Sequence, residues 1–321
     1  MRRMRRIPSW VWPVAAALVI FALSRVVKNE YYMFAGYVVL QYIVLASAWN
    51  ILGGYSGYVN FGSAAFFAIG AYGTVVLDKL VAPPLIVSIL FGGVVASLVG
   101  LVTGYLTLRL RGVFFAIATL ALAIVLQTLV VNWEYVGGPI GVYILRPPKI
   151  AGFPSYINYL FVVMLVLALV SILVARAIEL SVVGRGLAAI RDNELAAECC
   201  GVPTLRLKVF ATMLSGGLMG MAGAPFPYYI TYLDPSSAFS LAYGINSIAM
   251  PLIGGMTHWV GPVIGAVLLA VIQQVATVTI SSELNLMIVG ALLITFITLA
   301  PNGIVGLFES YRQQRRRRLG T

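Results

Sequence analysis

The amino-acid sequence predicts an all-α polytopic membrane protein with about ten transmembrane helices. Hydrophobic residues make up 61% of the 321 residues and charged residues only 10%, whereas a soluble domain has about 25% charged residues. Apolar stretches of about 20 residues, the length that crosses the hydrocarbon core of a bilayer, recur along the chain. The high apolar content excludes a disordered or collagen-like chain, and the presence of only 2 Cys excludes a disulfide scaffold.

Ten apolar spans result when the chain is divided at charged residues, proline pairs and glycine clusters. The predicted spans are 11–27, 31–51, 57–77, 84–107, 113–131, 157–175, 207–229, 239–255, 260–280 and 284–300. The eighth and ninth are short and glycine-rich, and because only residues 256–259 separate them, either could be a broken or re-entrant helix. The first could be a signal peptide, but its small residues at 15–17 lie inside the apolar run, which favours an uncleaved helix.

The distribution of basic residues predicts the orientation of these spans. If the N-terminus is cytoplasmic, sixteen Lys and Arg residues fall on the cytoplasmic side and five on the opposite side, while the acidic residues divide equally. This asymmetry follows the positive-inside rule and predicts that both termini are cytoplasmic, with a basic tail at 308–321. The net charge of +11 therefore indicates contact with the lipid bilayer. It does not indicate nucleic-acid binding, because no basic face is interleaved with aromatic residues.

Catalytic and ion-coupling patterns are missing from the sequence. No Asp, Glu, Lys or Arg lies deep within a predicted span, which disfavours a proton-driven carrier. The sequence has no cluster with metal-ligand spacing, no GxSxG nucleophile motif and no GxxxxGK[ST] phosphate loop. We therefore expect a protein that is not an enzyme and has no cofactor of its own.

Glycines concentrate at two places, residues 53–73 and 216–223. Small residues allow transmembrane helices to approach closely, so helix packing is one interpretation. The other is that residues 53–62 break the entry to the third span and expose backbone groups to a polar solute. The sequence leaves both open.

The longest cytoplasmic stretch between spans, residues 176–208, predicts two short helices joined by an elbow. The residues that begin or end these helices are Ser181, Asp192 or Asn193, Gly201 and Pro203. Alternating charges and a narrow apolar stripe at Leu187, Ile190 and Leu195 are typical of a surface that docks into another protein's groove. An ordinary solvated linker is the alternative.

Four stretches of this sequence are similar to a known family. They are 49–72, 108–121, the loop motif with Gly184-Arg185, Ala189-Ile190-Arg191 and Asn193-Glu194, and 254–266 followed by 301–304. In these stretches the chain resembles the permease subunits of branched-chain amino acid ABC importers, in particular the LivM-like branch.

The resemblance implies one transmembrane permease domain over residues 1–321, with a type II-like ABC importer fold, in the bacterial inner membrane. It implies a periplasmic loop at 132–156. The implied partners are a second permease, identical or different, two cytoplasmic ATPase subunits that bind ATP and Mg²⁺, and a periplasmic substrate-binding protein. The segment 176–208 would couple the permease to the ATPase, through Gly184, Arg185, Arg191, Asn193, Glu194, Glu198 and Gly201.

A translocation path for neutral zwitterions requires hydroxyls, amides and small residues. Candidates are Asn60, Ser63, Thr119, Asn246 and Ser247, although each could equally be satisfied by a neighbouring helix. Tyr58, Asn60 and Ser63 stand where the family commonly has Gln, Ser and His. Leu, Ile and Val are the expected solutes. Urea, short amides or other amino acids are alternatives, as is a carrier or channel that works alone.

Overall fold

The computed structural model describes residues 11–26, 29–146 and 153–279, together with isolated short stretches between 287 and 307. Within these residues the chain forms thirteen α-helices. The helices are α1 Val11–Val26, α2 Glu30–Ser56, α3 Ser63–Leu80, α4 Leu85–Thr107, α5 Val113–Val131, α6 Tyr156–Leu180, α7 Val182–Asp192, α8 Glu194–Cys199, α9 Thr204–Gly223, α10 Phe226–Ile230, α11 Pro235–Ala238, α12 Leu241–Gly254 and α13 Val260–Thr279.

Among the described residues, eight helical stretches are long and apolar enough to cross a membrane. They are α2, α3, α4, α5, α6, the stretch Thr204–Ile230, the stretch Pro235–Gly254 and residues Val260–Thr277 of α13, while α1 is a shorter apolar helix. The prediction of an all-α polytopic membrane protein is confirmed. The predicted span 284–300 lies largely outside the described residues, and the basic tail at 308–321 lies entirely outside them.

Polar contacts near the helix ends and in the loops fall into two sets, one at each end of the bundle. At one end, Lys79 Nζ donates to the Tyr135 carbonyl at 2.7 Å, and strand β1 (Val142–Tyr143) pairs antiparallel with strand β2 (Tyr232–Leu233). At the other end, Lys208 Nζ lies 2.6 Å from Glu194 Oε1, and His258 Nδ1 lies 2.9 Å from Glu179 Oε1. The two sets agree with the alternation of spans that the positive-inside rule predicts.

Helix α2 lies at the centre of the bundle, against α6, α9, α12 and α13. Its side chains are buried on all faces from Leu40 to Ser56, as expected of a helix that is surrounded by protein rather than by lipid. Trp49 in its last turns is 1% exposed. The C-terminal half of α2 therefore lies in the core.

Glycines allow α3, α4 and α9 to pack backbone to backbone. A Cβ atom at Gly70 would lie 1.9 Å from the Gly220 carbonyl oxygen, and one at Gly223 would lie 1.9 Å from that of Phe67. The same applies to α12 and α13, where a Cβ atom at Gly254 would lie 1.8 Å from the Gly261 carbonyl oxygen. Close packing thus accounts for many of the glycines.

The predicted break before the third span is present, but it begins later than Gly53. Both Gly53 and Gly54 lie inside α2, which continues to Ser56. Gly57 then ends the helix with φ +76° and donates its N–H to the Gly53 carbonyl at 3.1 Å, in the left-handed conformation that favours glycine. We call residues 57–62, which join α2 to α3, the α2–α3 linker.

Candidate functional site

The segment 176–208 contains the two short helices that the sequence predicts. The Ser181 hydroxyl accepts the Gly184 N–H at 3.2 Å at the start of α7, and the Asn193 amide oxygen accepts the Ala196 N–H at 3.1 Å at the start of α8. Both are helix N-caps. Gly201, with φ +81°, turns the chain after α8, so local capping explains this segment's shape.

The apolar stripe of the segment faces two directions. Leu187 is 0% exposed and Ile190 is 3% exposed, both packed in this chain's own core, whereas Leu195 is 60% exposed. The prediction that all three dock into another protein is wrong for Leu187 and Ile190. They hold α7 against the transmembrane helices because burying such side chains is favourable by about 2 kcal/mol each.

A buried lysine joins α8 to the membrane helices. The Lys208 side chain, in the second turn of α9, is 3% exposed. Its Nζ lies 2.6 Å from Glu194 Oε1 and donates to Tyr58 Oη at 3.0 Å and to the Leu108 carbonyl at 3.1 Å. Tyr58 Oη donates to Glu194 Oε2 at 2.5 Å. We call Tyr58, Leu108, Glu194 and Lys208 the Lys208 cluster.

The charges in this cluster change the pKa of two groups. Burial alone would raise the pKa of the Glu194 carboxyl, but hydrogen bonds from Lys208 and Tyr58 and the charges of Lys208 and Arg111 outweigh it, so this pKa is lowered. Burial, followed by the hydrogen bond to the Glu194 carboxylate, raises the pKa of the Tyr58 hydroxyl. Glu194 is therefore an ionised partner of Lys208 at neutral pH, and Tyr58 is a neutral donor.

Arg191 at the end of α7 also contacts the α2–α3 linker. A Cβ atom added at Gly57 would lie only 3.2 Å from Arg191 Cγ. The Arg191 Nη1 atom lies 3.5 Å from the Gly54 carbonyl oxygen. Arg185 is exposed on the same helix, while Gly184 is buried with no space for a side chain, since a Cβ there would lie 2.2 Å from the Ile178 carbonyl oxygen.

Glu198 is exposed; it accepts a hydrogen bond from Thr204 Oγ1 at 2.7 Å and lies 3.8 Å from Arg111 Nη2. The predicted coupling residues therefore divide into two groups. Arg185 and Glu198 are exposed, whereas the Glu194 carboxylate is turned into this chain.

Three of the predicted path residues lie together where α3 begins. Asn60 Oδ1 accepts the Gly62 N–H at 2.7 Å, and the Ser63 hydroxyl lies 3.4 Å from the Asn60 carbonyl. Thr119 Oγ1 on α5 accepts the Phe61 N–H at 3.2 Å. A cavity of about 10 Å³ lies beside Asn60 and Thr119, which has room for no more than a single water. In this conformation the space between them is too small for an amino acid.

The other two path candidates lie on α12. Asn246 Nδ2 donates to Tyr42 Oη at 3.1 Å, and its Oδ1 accepts from Gln273 Nε2 at 2.9 Å. The Ser247 hydroxyl donates to the Gly244 carbonyl at 2.8 Å. Both residues are satisfied by their own chain, as in the alternative interpretation of these polar groups.

A family model described as "Branched-chain amino acid transport system / permease component" matches residues 31–297. The chain belongs to this family. Among curated proteins, it is 27% identical over 289 residues to the high-affinity branched-chain amino acid transport system permease protein LivM of Salmonella typhimurium, and 26% identical to that of Escherichia coli. Each match covers 82% of this chain and 67% of the relative. It is also 25% identical to the probable permease protein LivH of Methanocaldococcus jannaschii, over 77% of this chain and 83% of that protein. No solved structure matches the chain.

This permease is thus a multi-pass inner-membrane component of an ABC transport system, which in general works with an ATPase and a binding protein. Among the residues that the structure describes, no three His, Cys, Asp or Glu side chains are grouped closely enough to hold a metal ion.

Sequence reasoning missed the residues that fix the cytoplasmic helices. The sequence places Lys208 at the end of the stretch 176–208, and the signal for its burial is its position one turn inside an apolar helix. Glu179 accepts the Trp259 N–H at 2.6 Å and lies 2.9 Å from His258 Nδ1. No spacing in the sequence indicates that contact, because 79 residues separate Glu179 from His258.

A cavity of about 570 Å³ opens beside the α2–α3 linker, on the side of the α7–α8 pair. It is lined by residues of the linker, the start of α5 and the helix pair, among them Val59, Phe61, Val113, Arg111 and Arg191. The linker therefore has packed protein on one face and space on the other.

Proposed function

We propose that this chain is the non-catalytic permease subunit that forms the translocation path for branched-chain amino acids, and that the α7–α8 pair receives movement from a separate ATPase subunit. The observation that carries this proposal is the two-sided helix pair. Its inner face is anchored to the spans by Leu187 and Glu194, and its outer face presents Arg185 and Leu195. A helix pair anchored in this way transmits a push from outside to the membrane helices.

In this proposal the partner subunits, and not this chain, bind the nucleotide and its metal ion. The sequence lacks a GxxxxGK[ST] loop, so ATP and Mg²⁺ would be bound by two cytoplasmic ATPase subunits. A periplasmic binding protein would deliver the solute. The permease would contribute the path and the coupling helices.

A second permease subunit, identical or different, would face α5. Only Phe115 and Thr119 of this 19-residue helix are buried within the chain. Because Thr119 also contacts the α2–α3 linker, we infer that the path runs between α5 and the second permease. The cavity of about 10 Å³ beside Asn60 would then represent the closed path of the resting state.

The polar groups of this region suit a solute without net charge. Asn60, Ser63 and Thr119 contribute an amide and two hydroxyls, which hydrogen-bond an ammonium or carboxylate group without a buried countercharge. The names of the LivM relatives support Leu, Ile and Val as solutes.

The test is uptake by the whole complex in lipid vesicles. We expect ATP-dependent accumulation of labelled leucine, which unlabelled isoleucine and valine reduce, and which urea and acetamide do not. Arg185→Glu should lower both ATPase co-purification and uptake, because it reverses a charge on the exposed face of α7. Arg109→Glu, an exposed charge on the preceding cytoplasmic loop, is the matched control. Wild-type co-purification and uptake in Arg185→Glu would refute the assignment of the coupling surface.

A further inference from the structure

The Lys208 cluster connects four separate parts of the chain. Lys208 belongs to α9, Glu194 to α8 and Tyr58 to the α2–α3 linker, and Leu108 directly follows α4. The Lys208 ammonium also lies 4.4 Å from the centre of the Tyr58 ring. Within this cluster, Tyr58 is the linker residue that bonds to α8, through its hydroxyl.

Burial makes this connection rigid. The Lys208 side chain is 3% exposed and that of Glu194 is 12% exposed. Separation of the pair would leave an uncompensated buried charge, which is far more costly than the loss of a surface ion pair. Arg111, 51% exposed and 3.5 Å from Glu194, is a surface partner and adds little. We conclude that α8, the start of α9 and Tyr58 move as one unit.

Two contacts join the α2–α3 linker to α5, one from Tyr58 and one from Phe61. The Tyr58 ring packs edge-on against Phe115 with the ring centres 5.2 Å apart. Three residues further on, the Phe61 N–H donates to Thr119 Oγ1. Any displacement of the linker therefore reaches the part of α5 that faces Asn60. The 570 Å³ cavity on the free side of the linker gives it room to move.

The geometry points to Tyr58, Glu194 and Lys208 as positioning residues that transmit the movement of α8 to the α2–α3 linker and, through it, to α5. This inference rests on the proposed coupling role of the α7–α8 pair. It goes further in assigning the step between the cytoplasmic helices and the path to one tyrosine hydroxyl and one buried ion pair.

The decisive variant is Tyr58→Phe, which removes one oxygen atom and keeps the ring against Phe115. In the reconstituted complex we expect the number of leucine molecules moved per ATP hydrolysed to fall about tenfold, as the loss of a hydrogen bond to a charged group predicts. ATPase co-purification should remain unchanged. Lys208→Met should lower the same ratio, and Lys208→Arg should restore part of it. Tyr105→Phe, which alters an exposed tyrosine at the cytoplasmic end of α4, is the matched control.

A second measurement follows the linker itself. The two native cysteines, Cys199 and Cys200, are exposed and can be replaced by serine, after which Val59→Cys reports the linker, since Val59 is 38% exposed. The rate of maleimide labelling at position 59 should change between the nucleotide-free and ATP-bound complex, and Tyr58→Phe should abolish that change. A wild-type transport ratio together with a wild-type labelling change in Tyr58→Phe would overturn the inference. Absence of ATP-dependent uptake in the wild-type complex would instead refute the proposed function.

Discussion

The side chain of Arg191 lies directly against Gly57. A Cβ atom added at Gly57 would lie only 3.2 Å from Arg191 Cγ. The Arg191 guanidinium lies near the Gly54 carbonyl. The last turn of α7 thus rests on the end of α2. Because Gly57 also has φ +76°, two separate constraints favour glycine here.

Gly57→Ala should destabilise the protein and weaken coupling. The backbone conformation alone disfavours an L-residue by about 1–2 kcal/mol, and displacement of Arg191 adds to this. Gly201→Ala is the matched control, because Gly201 has φ +81° but no atom within 4 Å of an added Cβ. Thermal unfolding of the purified protein and ATP-driven uptake measure both effects. Equal losses of thermal stability in the two variants would show that the Arg191 contact adds nothing to the backbone penalty.

Gly70→Ala should prevent α3 from packing on α9. The added Cβ would lie 1.9 Å from the Gly220 carbonyl oxygen, whereas at Gly73 the nearest atom would be 3.6 Å away, an ordinary van der Waals contact. We expect little folded protein for Gly70→Ala and normal yield for Gly73→Ala. Size-exclusion profiles after detergent extraction measure this, and similar yields for both variants would contradict the packing.

Lys208→Met should cost about 3–5 kcal/mol of stability, since it leaves the Glu194 carboxylate partly buried without its cation. The double variant Lys208→Met/Glu194→Gln should recover much of that loss, because neither charge then remains. A double-mutant cycle of unfolding free energies measures the coupling. Additive effects of the two substitutions would mean that the ion pair contributes nothing.

The lowered pKa of Glu194 predicts how its contribution depends on pH. A carboxyl whose pKa is lower in the folded state stabilises the fold above its ordinary value of 4.5, and this contribution is lost as the pH falls through the lowered folded value. The difference in melting temperature between wild type and Glu194→Gln should therefore shrink below about pH 4.5. In the Lys208→Met background the carboxyl loses its strongest partner, so this acid-dependent loss should diminish. An unchanged pH profile would argue against Lys208 as the cause of the shift.

The sequence allowed prediction of the features that arise from local interactions. Apolar span lengths located the long helices. Ser181 marked the start of α7, and Asp192 or Asn193 that of α8, because capping depends on residues three positions apart; in the structure Asn193 is the cap. Partners distant in the chain could not be predicted in this way. Tyr58 and Lys208 are 150 residues apart, and only the folded bundle brings them together.

The burial of Leu187 and Ile190 also required the structure. An apolar stripe on a short helix predicts that the stripe is covered, but it does not predict by what. In this chain α7 lies on α2 and α6, so its own core covers the stripe. The exposed residues of α7 and α8 are therefore the ones left for a partner.

The most direct test of the central claim compares this chain alone with the full complex in lipid vesicles, with ATP supplied on the ATPase side. If the chain is a passive gate moved through α7 and α8, the complex accumulates leucine against a gradient only with ATP, and the isolated chain accumulates none. Concentrative leucine uptake by the isolated chain, without nucleotide or any other subunit, would contradict the account.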